Sequence, residues 1–172
     1  MTVRVKTDAI DTTYTTEAYA LGTRYVQPAD ENNAANSTHY GEKTWVFVYN
    51  DDTSAFAEGD VLFLDNSDYA PYHGILSTTT LHVHRVLGVA GGAIAAGKYG
   101  WIVVRGVCEV GAVSSVAQGD RLVSAASANA TTLTLDADAT TDNLECVFGM
   151  ALEANGGSTG DKITAVISMP VW

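Results

Sequence analysis

The chain has 172 residues, 47% hydrophobic and only 17% charged, with twenty acids against nine bases for a formal net charge of −11. This length suits one domain with an arm, or two small repeats sharing a core, and it buries roughly 70% of its unfolded surface without help from metal or disulfide. The acidic balance argues against binding nucleic acid through phosphates, and the opening residues lack the basic cap and apolar core of a secretory leader. No run is long enough for a membrane span, so a soluble protein made in a cytoplasm is expected, with neither nucleic acid nor membrane as partner.

Residues 1–44 are rich in Thr and Asn, with apolar residues spread too thinly to form a core. An extended arm is expected. Val3 and Val5 alternate with Arg4 and Lys6, as in a short strand that adds to a neighbouring sheet edge, and Tyr14, Tyr19 and Tyr25 recur at intervals suited to pockets on a partner. Pro28 to Thr38, with three Asn and no large apolar residue, reads as a loop or linker.

From Trp45 the pattern becomes strand, turn, strand. Trp45 to Asn50 is an apolar run closed by Asp51 and Asp52, Val61 to Leu64 follows a Gly-Asp pair, Leu81 to Gly88 alternates, and Gly100 to Val110 is a long Val/Ile segment. Gly91-Gly92, Gly97, Gly111 and Gly156-Gly157 lie between such runs and read as turns. The fold class expected is all-β, a sandwich or barrel spanning 45–172. Helix is disfavoured by the Gly and β-branched content even at its best candidates, Ala90 to Gly97 and Ser114 to Gly119.

One phrase occurs twice in this region. Phe56-Ala57-Glu58-Gly59-Asp60-Val61-Leu62 returns as Val116-Ala117-Gln118-Gly119-Asp120-Arg121-Leu122. Flanking echoes are Trp45 to Val48 with Trp101 to Val104, and Leu87 to Ala90 with Phe148 to Ala151. Two pseudo-repeated β-units are expected, at about 45–90 and 101–172, since a module unable to bury its apolar face alone does so against its copy. Gly59 and Gly119 supply left-handed backbone, while Asp60 and Asp120 accept amide hydrogen bonds just beyond them, so all four are read as structural turn residues. A catalytic carboxylate pair of the aspartic-protease kind needs the acid before the glycine, and neither copy has that order. Similar turns occur in lipoyl and biotinyl carrier domains, but Lys43, Lys98 and Lys162 are not in the modifiable tripeptide of those domains.

His82 and His84 lie two apart on an alternating strand, on one face. They are the weak metal candidates, with His73, His39 or an acid as a third ligand. Cys108 and Cys146 have no Cys-x-x-Cys spacing and no disulfide is expected between them. Neither a Gly-x-Ser-x-Gly nucleophile nor a phosphate-binding glycine loop is present, so no enzyme activity and no cofactor is expected. Trp45, Trp101 and Trp172 are expected in the core or against another subunit.

Ala96-Gly97, Gly100-Trp101-Ile102-Val103-Val104, Gly106-Val107, Ala117 to Ser124, Val147 to Ala154 and Ile163 to Ile167 form a connected series. Over about residues 88–172 it resembles the capsid decoration, or cement, proteins of tailed bacteriophages, with a weaker echo in 45–87. The resemblance implies a structural virion protein that stabilises the capsid, binding lattice contacts of the major capsid protein on the outer surface. It also implies a homo-oligomer, commonly a trimer, with an arm at the capsid. Val3, Val5, Tyr14, Tyr19 and Tyr25 are then the capsid-contact candidates. The alternatives are a head-fibre or tail-associated β-domain and, from another class, a His-dependent metal-binding β-barrel. The long Thr/Asn-rich lead and the duplication depart from compact members of the family.

Overall fold

The computed structural model describes residues 9–35, 41–65, 71–76, 86–113, 115–125, 128–132 and 147–169. In chain order the elements are β1 (Arg24–Gln27), α1 (Ala29–Ala35), β2 (Lys43–Asn50), β3 (Val61–Leu64), β4 (His73–Ile75), β5 (Val86–Ala90), β6 (Tyr99–Ala112), β7 (Arg121–Ser124), β8 (Ala130–Thr132), β9 (Gly149–Ala151) and β10 (Asp161–Ser168). The protein is all-β, and α1 is its one short helix among the described residues. α1 falls inside the stretch read as a linker. Pro28 accepts its first backbone bond, from Asn32 N–H at 3.0 Å, and Asp30 and Glu31 place negative charge at the helix's positive end.

The strands close into two rings that share β6. In the first ring the hydrogen-bonded order is β2-β4-β3-β5-β6, and β2 also pairs with β6 to close the circle. In the second the order is β6-β10-β9-β7-β8, closed by β8 against β6 through Ala112↔Ala130. Each ring has one parallel contact, β2 with β4 and β6 with β8, and the remaining neighbours are antiparallel. The 14-residue β6 serves both because its first half pairs with β2 and its second half with β10. Closure leaves few free strand edges within the rings.

Alternation sorts each ring into an inside and an outside. Leu62 and Ile102 fill the first ring and Leu122, Ile163, Ala165 and Ile167 the second, all with no exposed surface. Gly111, read as a turn residue, instead lies within β6. Its amide donates to the carbonyl of Gly59 at 2.8 Å, so the strand runs on where the first ring's turn presses against it.

Two expectations are corrected here. Trp45 to Val48 and Trp101 to Val104 are not equivalent positions of two repeats: they lie side by side in the first ring, with Trp45 opposite Val103 and Phe47 opposite Trp101. Their likeness reflects shared burial on both faces of the β2–β6 pair, where all eight residues are buried. The second correction concerns the arm. From residue 9 onward it folds back on the first ring: β1 pairs antiparallel with β2, Tyr14 bridges to Tyr99, and Ile10, Tyr14, Tyr19, Leu21 and Tyr25 pack against the core. Thinly spaced aromatics suffice because the face they cover is itself aromatic. Val3 and Val5 lie outside the described residues.

Candidate functional site

Gly59 and Gly119 both have φ of 90°, a region where side chains are strained. Ala57 N–H donates to Asp60 Oδ2 at 2.6 Å, and Ala117 N–H donates to Asp120 Oδ2 at 2.8 Å. The amides of Gly59 and Gly119 donate to Ala90 and Ala151, both at 2.9 Å, and those alanines donate back to Asp60 and Asp120 carbonyls, again at 2.9 Å. Each carboxylate therefore caps the amide three residues before it, rather than amides beyond it. Burial pushes the Asp60 carboxyl above its ordinary value, partly offset by the Ala57 amide and by Lys162. The two acids are spent on separate turns and form no acid-base pair.

Around the first turn the two rings are tied together. Val61 N–H donates to Ala128 C=O at 2.7 Å, and Lys162 Nζ reaches Glu58 at 2.7 Å and Glu109 at 3.4 Å. Glu58 and Lys162 are about half exposed, so water screens this bridge and it adds little stability.

Tyr14, Tyr19 and Tyr25 meet the protein's own aromatic face. Tyr19 stands edge-on to Tyr14, Phe47 and Trp101 at ring separations of 5.8, 5.3 and 5.2 Å. Tyr14 meets Phe47 at 5.6 Å and Tyr25 meets Trp101 at 6.4 Å. The Tyr25 hydroxyl donates to Glu31 at 2.6 Å, and its pKa is pushed up to about 12 by burial and by that carboxylate.

A cavity of about 310 Å³ opens beside this face, lined by Ile10, Asn32, Lys43, Trp45, Cys108 and Glu109 among others. Lys43 is buried, with its ammonium 5.8 Å from the centre of the Trp45 ring, and Gln27 accepts the Trp45 indole N–H at 3.0 Å. Burial pulls the Lys43 pKa below the ordinary lysine value. The Cys108 thiol is pushed up to about 12 by burial, so it stays protonated and unreactive at neutral pH. Sequence reasoning singled out neither residue for this role. The available signal was Lys43 alternating in step with Trp45 and Phe47 on a strand that buries both.

His82, His84, His39, Cys146 and Trp172 lie outside the described residues. His73 is described, and its Nδ1 contacts Asp51 at 3.0 Å. Among the described residues no group of three or more His, Cys, Asp or Glu is placed to hold a metal.

The fold is a closed, double-ring all-β architecture in which Asp60 and Asp120 cap turns. Residues 67–167 match the model of the phage cement protein family, more than half the chain, and the protein belongs to that family. It is therefore a virion-associated phage structural protein. No curated protein matches it. Among solved structures it is similar to the head fiber gp8.5 N base of bacteriophage phi29, at 21% identity and a TM-score of 0.47, over 72% of this chain and 94% of that one.

Proposed function

We propose that this protein cements a phage capsid by seating on lattice contacts of the major capsid protein at the outer surface. It acts as a homo-oligomer, most simply a trimer, after synthesis in the host cytoplasm. The family match over residues 67–167 carries this reading. An acidic chain that stays soluble at high copy number, and gains avidity from repeated weak contacts, suits the role. Because the Tyr14, Tyr19 and Tyr25 rings pack on the protein's own first ring, the capsid contact is assigned to other surface. We also read the two rings as copies of one β-unit, on the strength of their common strand order and matched turns.

Undecorated capsids mixed with the purified protein, then pelleted, test the reading. Saturable co-sedimentation at a fixed ratio to the major capsid protein, with capsids that withstand higher temperature, is expected. Capsids that neither bind it nor gain stability would refute the proposal.

A further inference from the structure

The cavity beside Trp45 has two kinds of wall. Its deep side carries Lys43, Gln27 and Asn32, polar residues only 6, 5 and 2% exposed. Its outer side carries Asp11 and Glu58, both exposed, and the half-buried Glu109.

The deep side holds donors with nothing to receive them. Among the described residues the Lys43 ammonium makes no hydrogen bond, and no carboxylate lies within 4.0 Å of it. The sealed polar atom left without a partner is instead the Trp101 indole nitrogen, so the Lys43 ammonium opens on the cavity rather than into packed core. Gln27 adds a second donor. Its carbonyl oxygen takes the Trp45 indole N–H, which fixes the orientation of the amide and leaves its NH2 with no partner among the described residues. Two unmatched donors, one of them cationic and drawn out of water, call for an anionic acceptor.

The outer side limits what that acceptor can be. Glu58 and Glu109 hold Lys162, whereas Asp11 makes no ion pair among the described residues. Lys43 and Asp11 thus face one cavity as unpaired opposite charges more than 4.0 Å apart. A multiply charged anion such as phosphate would be repelled by three carboxylates on its way in. A molecule with a carboxylate at one end and an amine at the other satisfies both walls. At about 310 Å³ the cavity has room for one, being roughly ten times the volume that a water molecule takes up in the liquid. We propose that this cavity binds a small amino carboxylate, its carboxylate on Lys43 and Gln27, its ammonium on Asp11 and its methylenes against Trp45. The site uses no capsid contact, so it stands or falls apart from the cement reading.

The test is isothermal titration calorimetry of the full chain with glycine, γ-aminobutyrate and ε-aminocaproate, which differ in the distance between their charges. Caproate and hexylamine serve as controls that carry one charge each. At least one amino carboxylate should bind at one site per chain and raise the melting temperature, since it binds the folded state alone. Removing either charge from that ligand, or making Lys43→Met or Asp11→Asn, should weaken binding by about tenfold or more. Lys43→Met removes an unpaired buried charge and Asp11 is exposed, so both variants are expected to fold, as circular dichroism would check. Asp11→Asn carries the test alone where Lys43→Met disturbs folding. A parent that binds none of the three overturns the proposal. So does a folded variant that keeps the parent's affinity, or caproate that binds as tightly as ε-aminocaproate.

Discussion

At the scale of single residues, the matched turns differ in what surrounds them. A Cβ on Gly59 would stand 3.2 Å from the Gly111 amide nitrogen, whereas one on Gly119 meets nothing within 4 Å. Both Gly→Ala changes carry the left-handed backbone cost of about 1–2 kcal/mol. Gly59→Ala must also push the first turn off β6, so it should lower the melting temperature more than Gly119→Ala. Equal losses from the two would show that the contact between rings contributes nothing. Asp60→Ala and Asp120→Ala should each remove about 0.5–2 kcal/mol by freeing an amide, read from urea midpoints. Lys43 gives a pH dependence of known sign. Its folded pKa lies below the unfolded 10.5, so the buried charge opposes folding at neutral pH, and the penalty fades as pH climbs through the interval up to 10.5. Lys43→Met should therefore stabilise most near neutrality and give a gain that shrinks toward pH 10.5. A gain that grows with pH would reverse the assignment.

At the scale of elements, the amino-terminal segment is a lining for the first ring. Tyr19 makes three edge-on aromatic contacts, each worth about 0.5–1.5 kcal/mol, so Tyr19→Ala should cost roughly 1.5–4 kcal/mol and shift tryptophan emission to the red as Trp101 meets water. Unchanged emission would mean that the cover does not shield Trp101. Strands such as β2 and β3 were readable from local apolar pattern, and the Gly-Asp turns from bonds that close within three residues. The lining was not readable, because Phe47 and Trp101, the targets of Tyr14 and Tyr19, lie far along the chain. α1 was hidden by Asn residues that look loop-like until Asn32 is seen buried, its side-chain amide donating to Gly41 C=O at 2.7 Å. The Lys43 cavity was hidden for the same reason as the lining, since its walls come from six separate parts of the chain.

At the scale of the whole molecule, neither ring can be completed without β6. Calorimetry should accordingly show one cooperative transition, with mutations in either ring moving it as a unit. Two resolved transitions would mean that the rings fold independently. The shared strand also limits how the chain can change in length. Because facing alternates residue by residue, a single insertion near the middle of β6 would leave the first ring's pairing intact while turning every later position of that strand inside out. Val110 would then face outward and Glu109 would be driven into the second ring's interior. Length variation among related chains should for that reason collect between strands, and β6 should act as a ruler whose residue count is held fixed while its sequence drifts.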